Sequence, residues 1–470
     1  MSSIFSGDIK SIRLVKMLED VRASYWFWPL CMLIAAFVLA LITRWLDTFP
    51  LVSQYAGNLH IGAAGADDAR AILSVVATSV LGVAGVAFSI TIVAVSFASS
   101  NFGPRLIRNF MRDRGNQLTL GAFIGTFVFC LITLASVYSA SSDKAGREIP
   151  EFVPHLSVLV ALLLAVGCIG VLIYYFHHIA EFINIENIIA DVGDQLKVRI
   201  LTTYPNNRSN DLEVDATDFE SAAADLASRR VACESVGYVQ AISHDKLLEL
   251  AESEALLINV HYRPGDYVCT HDALLSVWSS EADAVPVDEL RSCFAIGDQR
   301  TKHQNVLFLV EQLGEVIARA LSPGVNDPTT AISCLNCYRT ALLEYIHTHP
   351  KAIKDSDWAR WQVQIKPITF DRICAVMFDK TRQYIVTDVN VLLHTMALFS
   401  ECAWQAEPGS YRDTLKGYLR QFHVEGLEMH DRPSATKIID QRYEEAIELL
   451  ENHDPFYQKR QEATWFGGSA

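Results

Sequence analysis

Few residues in this chain of 470 have a type and spacing that could do chemistry. Cys334 and Cys337 form a C-x-x-C pair, the unit of thiolate metal sites and redox dithiols. On a helix both thiols share a face. No second pair accompanies them, and His347 and His349 stand at no recognised zinc spacing. His177, His178 and Glu181 are a second donor group; adjacent histidines diverge on a helix, so only His177 and Glu181 share a face. The third group is Asn326, Asp327, Thr329 and Thr330, with Arg300 and Arg319 nearby in sequence. It is polar enough to hold a ligand or form an interface. The same residues suit a helix start, with Asp327 as N-cap and Pro328 at the first helical position, and capping accounts for most of the pattern. There is no P-loop, no dinucleotide fingerprint, no nucleophile elbow and no HExxH pair. The sequence indicates no cofactor and no metal, and an enzyme here would need an unfamiliar site.

The elements that would have to position such groups are dominated by apolar runs. Ala71 to Ser100 carries no charge over about 30 residues, or about 45 Å as a helix. A hydrocarbon core of about 30 Å needs about 20 apolar residues, so this helix tilts or projects beyond the lipid. Ser74, Thr78, Gly82, Gly85, Ser89, Ser96 and Ser100 recur at steps of three, four or seven, one face of an α-helix. Leu73, Val76, Val80 and Phe88 are assigned to the opposite face. Two readings of the small-residue stripe stand open: close helix packing, or the lining of a polar path that no large side chain blocks. They coexist if the helix packs against copies of itself around an axis.

Asn101-Phe102-Gly103-Pro104 is expected to end or kink this helix. Arg105, Arg108, Arg112 and Arg114 follow, alternating with Leu106, Ile107, Phe110 and Met111. The pattern reads either as an amphipathic piece at an anionic membrane surface or as a basic loop obeying the positive-inside rule.

The run GVAGVAFSITIVAVSFASSNFGPRLIRNFMRDRGNQLTLGAFIGTFVFCLITL and the later RALSPGVNDPTTA resemble the bacterial membrane proteins grouped as domain of unknown function 2254. The resemblance extends over roughly Trp26 to Glu451. It implies a multi-pass membrane topology and brings no activity, substrate or catalytic residue.

Four spans are predicted, at about 25–46, 71–100, 118–137 and 155–176. Tyr25, Trp26, Trp28 and Trp45 place aromatic belts at the two ends of the first, which has no small-residue cleavage site after it and reads as a retained span. The arginines after the second span orient both termini to the cytoplasm of a bacterial inner membrane. No Asp, Glu, Lys or Arg lies in the middle of a span, which argues against a proton-driven pump and leaves a passive pore open. The formal net charge of −15 is concentrated after Ala180, and an acidic domain argues against a nucleic-acid partner. Most of the ten cysteines fall in the cytoplasmic part, where they are expected to be reduced.

The predicted fold class is therefore a four-helix membrane domain followed by a cytoplasmic α+β domain. Residues 1–24 are an N-terminal cytoplasmic segment and 25–180 the membrane domain. Residues 181–203 continue the fourth span as a helix. Residues 204–303 form a β-rich barrel or sandwich, with strands near Ser235–Ile242, Leu256–Tyr262, Asp266–Val268 and Leu274–Trp278 and a turn at Arg263–Asp266. Residues 304–452 are mostly helical with a strand at Gln362–Lys366, and 453–470 are a loose tail. The leading functional expectation is an oligomeric channel or passive permease. In it the second span lines the axis and Gly103, Pro104 and the arginines form a collar above a regulatory or assembly domain. Its partners would be the lipid bilayer, further copies of the chain and an ion or small ligand. Small-conductance mechanosensitive channels share this layout at the level of architecture only. A pore-free membrane scaffold or sensor and a membrane enzyme are the rivals.

Overall fold

The computed structural model describes residues 24, 26–49, 65–102, 113–138, 141–142, 148–149, 152–203, 219, 223–224, 226–281, 284–301, 304–348, 362–365 and 368–451; of 98–102, 141–142, 148–149, 182–183 and 203 only the backbone is described. Gly103, Pro104, Arg105, Arg108 and Arg112, the N-terminal segment, the polar stretch 204–218 and the tail lie outside these residues. The chain divides between Asn184 and Ile185 into two compact units.

Among its described residues the first unit holds four helices long and apolar enough to cross a membrane: α1 (Phe27–Asp47), α2 (Ala66–Phe102), α3 (Arg114–Ala135) and α4 (His155–Ile183). Between α3 and α4, β1 (Ser141–Ser142) pairs antiparallel with β2 (Glu148–Ile149). α3 is the most enclosed of the four and packs on α1, α2 and α4. Its Gly121-Ala-Phe-Ile-Gly125 sequence lets α1 approach closely. A Cβ on Gly121 would stand 2.6 Å from Met32 Sδ and 3.2 Å from Pro29 Cα, and one on Gly125 would stand 3.3 Å from the Met32 carbonyl oxygen. This is the small-residue helix contact of lipid-embedded bundles.

Two helix starts in this unit, those of α3 and α4, are capped by carboxylates. Asp113 accepts the Asn116 N–H at 2.8 Å at the start of α3. α4 begins after Pro154, which has no side-chain cap; Asp47, from the end of α1, supplies it instead. Its carboxylate accepts the Leu156 N–H at 2.8 Å, the Ser157 N–H at 3.0 Å and the Ser157 hydroxyl at 2.6 Å. An anion there satisfies orphan N–H groups and complements the helix dipole.

The helix expected to run on from the fourth span is interrupted. Asn184 has an extended backbone (φ −64°, ψ 117°) and terminates α4; α5 (Ile185–Thr203) begins afterwards.

In the second unit α5 packs against two later helices. Next come β3 (Ala227–Ala232), β4 (Gly237–Ile242), α6 (His244–Ser253), β5 (Leu257–Val260), β6 (Tyr267–Val268), β7 (Ala273–Ser279), α7 (Val287–Ser292) and β8 (Phe294–Gly297). The helical part is α8 (Val306–Ala320), α9 (Pro328–Thr348), α10 (Phe370–Cys374), a π-helical turn (Ala375–Asp379), α11 (Arg382–Ile385), α12 (Val389–Gln405), α13 (Ser410–Met429) and α14 (Pro433–Glu451); β9 (Val363–Ile365) precedes α10. Among the described residues of this unit the strands form two sheets, ordered β3-β7-β5-β9 and β6-β4-β8. Every pair is antiparallel except β5-β9, with Ile258 opposite Val363. Val239, Val268 and Phe294 of the smaller sheet share one apolar core with Val231, Ile258 and Val277 of the larger, as a sandwich requires. The turn at Arg263–Asp266 is present: Gly265 has φ +103°, and the Asp266 N–H donates to the Arg263 carbonyl at 3.0 Å. β9, the strand expected at Gln362–Lys366, joins the larger sheet of the β-rich stretch expected at 204–303.

α8 buries Val306, Leu309, Val310, Leu313, Val316 and Ile317, the face its 3.6-residue pattern defines. α5 and α9 cover it, and α12 lies beyond α9, flanked by α13 and α14. Phe378, Phe399 and Phe422 stack edge to face within this core. Buried Glu401 of α12 pairs with Arg339 of α9.

Candidate functional site

α2 is built with two distinct small-residue faces. The buried one is Leu73, Ala77, Val80, Ala84, Ala87, Thr91 and Ala94, at alternating steps of four and three. That is a heptad seam, and it packs against α3 and α4. It is pinned by hydroxyls: Tyr175 of α4 donates to the Ala87 carbonyl at 2.7 Å and lies 2.9 Å from Thr91 Oγ1. The sequence reading missed this seam because alanine is quiet in hydropathy; its 3.5-residue spacing was the available signal.

The other face is the serine–glycine stripe. Ser74, Thr78, Gly82, Gly85, Ser89 and Ser96 are all exposed. A Cβ on Gly82 or Gly85 would meet nothing within 4 Å. Packing among the described residues therefore does not account for the stripe, because the alanine seam has that role. Of the bulky residues assigned to the opposite face, Leu73 and Val80 are buried and Val76 is half-buried, but Phe88 is 43% exposed and belongs with the outer surface. A groove of about 450 Å³ follows the outer face, lined by Gly82, Gly85, Val86, Ser89, Ile90 and Val93. Ser89 satisfies its hydroxyl on the Gly85 carbonyl at 2.9 Å. Ser100 lies on the helix, its side chain outside the described residues.

At the Arg114 end of α3 a compact polar cluster forms. His178 Nε2 lies 2.8 Å from Asp113 Oδ2, and its ring stacks on Tyr174 with centroids 5.3 Å apart. Gly115 leaves the space: a Cβ there would sit 2.4 Å from His178 Nε2. His177 faces Glu181 at 3.3 Å on the exposed side. The two histidines thus diverge as the helix dictates, and His178 meets a carboxylate from another helix that sequence spacing did not suggest. No group of three metal-ligating side chains occurs among the described residues.

In the second unit the Asn326–Thr330 group is a helix cap. Asp327 accepts the Thr330 N–H at 3.1 Å and the Thr330 hydroxyl at 2.6 Å. Asn326 takes a left-handed backbone, φ +49°, as the residue at the turn between α8 and α9. Thr329 is exposed. Arg300 is drawn to Glu311 instead, beside Lys380, whose Nζ is 2.8 Å from Glu311 Oε1. Burial works against the Glu311 carboxylate, and Lys380 and Arg300 outweigh it, holding it below its ordinary range. Cys334 is buried, and burial pushes its thiol far up; burial raises Cys337 to about 11. A C-x-x-C pair so held is a pair of neutral thiols, poor as nucleophile or ligand. Cys337 packs on Gly193 of α5, where a Cβ would meet its sulfur at 2.6 Å.

A family model described as a predicted membrane protein, domain of unknown function 2254, matches residues 22–401. The chain belongs to this family. Among curated relatives, an uncharacterised protein of Mycobacterium bovis and one of Mycobacterium tuberculosis are each 32% identical over 281 residues. That match covers 57% of this chain and 51% of each relative, so the chain spans about half the length of the curated relatives it matches. No solved structure matches. Membership carries the membrane location with it, and the four apolar helices supply the spans.

Proposed function

We propose that the protein is an oligomeric channel or passive permease in which α2 of each copy faces a shared axis and the second unit serves assembly or regulation. The observation that carries this reading is the outward serine–glycine face. Hydroxyls and glycine backbone turned to lipid gain nothing from it, whereas around an axis they permit close approach and leave a narrow polar surface. The alanine seam on the other side anchors the same helix in its own bundle, so the stripe is available to partners. In this arrangement the basic segment after α2 lies at the cytoplasmic mouth.

Ion flux from liposomes carrying the purified protein tests the proposal, with Gly85→Leu as the comparison. The expected result is flux in the wild type that the leucine abolishes without loss of folded protein. Flux that Gly85→Leu leaves unchanged removes α2 from the path. Liposomes that stay sealed at every salt and tension favour a pore-free scaffold.

A further inference from the structure

A second line of polar groups runs inside the bundle, on the side of α3 that meets α4. Thr119, Thr126 and Thr133 stand at intervals of seven residues, about 10 Å apart, and are 3%, 4% and 2% exposed. Asn116, also 3% exposed, is one turn before Thr119. Thr126 Oγ1 lies 3.3 Å from Cys168 Sγ of α4. The hydroxyls of Thr119 and Thr133 and both amide atoms of Asn116 have no hydrogen-bond partner among the described residues. Elsewhere in the unit some helical hydroxyls close on a carbonyl of the preceding turn, as Ser89 does on Gly85, Thr91 on Ala87 and Thr43 on Ala40. Thr119 and Thr133 do not. A buried hydroxyl left so is destabilising by about 1–3 kcal/mol, and orphaned polar atoms in such places are where buried water is found.

The line ends in ionisable groups. α3 and α4 run antiparallel, in a register set by the Thr126–Cys168 contact and by Gly115 against His178. That register brings Thr119 level with Tyr175, whose phenol meets Thr91. It brings Thr133 level with Ala161, one turn from Ser157. Ser157 donates to Asp47, and at the opposite end Asp113 meets His178. A group able both to give and to accept a proton therefore recurs about every 10 Å between two carboxylates.

We propose that this seam holds a file of water that relays protons through each four-helix bundle, between the Asp47–Ser157 end and the Asp113–His178 end. Each hydroxyl or water accepts a proton on a lone pair and releases its own to the next oxygen. One O–H bond forms for each that breaks, and no oxidant or reductant takes part. The route lies on the opposite side of α2 from the serine–glycine face and is independent of an axial pore.

The test is proton leak into liposomes of the full-length protein, read with a trapped pH dye under an imposed potassium diffusion potential. Wild-type vesicles are expected to acidify faster than protein-free ones. Thr126→Val is expected to slow this about tenfold, as the loss of one relay hydroxyl in an apolar interior implies, and Thr126→Ser to restore it. Thr119→Val repeats the test if Thr126→Val does not fold. Gly85→Leu, which blocks the axis, is expected to leave the proton leak intact. Vesicles no leakier than protein-free controls overturn the proposal, as do valine variants that leak like wild type or a leak that Gly85→Leu removes.

Discussion

Asp327 and Asp47 perform one structural task at two helix starts. Asp327 is bound to both the N–H and the hydroxyl of Thr330. Asp327→Ala is expected to destabilise the second unit by about 1 kcal/mol, the usual worth of an N-cap, as a lowered midpoint in chemical denaturation. Asp47→Ala removes the acceptor for two N–H groups and a hydroxyl of α4 and is expected to lower thermal stability in detergent more than Asp327→Ala does, because three donors rather than two lose their acceptor. Glu311 makes a pH prediction. Its folded carboxylate titrates below the ordinary 4.5, so its contribution is complete above that value and is lost as pH falls through the lower folded value. The stability gap between wild type and Glu311→Gln is expected to be constant near neutrality and to close on acidification below about 4.5, followed by denaturation at stepped pH.

At the scale of the element, glycines in neighbouring helices have opposite meanings. Gly121 is sealed against α1, where an added Cβ meets Met32 Sδ at 2.6 Å and the Pro29 backbone at 3.2 Å. Gly121→Val is expected to separate α1 from α3 and to destabilise the bundle by about 1–3 kcal/mol, the range for overpacking, seen as a lower melting temperature in detergent. Gly85 meets nothing within 4 Å, so Gly85→Leu is expected to melt like the wild type. Equal damage from both substitutions would mean that α2 also uses its serine–glycine face within its own bundle.

For the whole molecule, the open face of α2 bears on how copies assemble. If α2 lines an axis, equivalent residues of adjacent copies approach one another, as rotational symmetry requires. Ser89→Cys is expected to cross-link copies in native membranes under mild oxidation, beyond any background from the native cysteines, of which Cys31 and Cys269 are exposed. Val75→Cys, on an outward position 65% exposed and flanking the stripe, is expected to cross-link less. The same yield at both positions would argue against a defined axis.

Length and hydropathy by themselves determined the four spans, because about 20 apolar residues per crossing is a solvation requirement that no tertiary contact relaxes. Local patterns likewise determined the Asp327 cap, the Gly265 turn and the buried face of α8, since each depends on residues within a turn or two. What only tertiary structure decided was direction. The sequence shows that α2 carries a small-residue stripe; the alanine seam, packed against α3 and α4, decides that the stripe points away from the bundle. Hydropathy barely separates alanine from glycine and serine, so the two faces were not distinguishable as inner and outer. The pairings of Asp47 with Ser157 and Asp113 with His178 span more than sixty positions. Nothing local marks a carboxylate as the cap of a distant helix, and only the antiparallel packing of the bundle brings these groups within hydrogen-bonding distance.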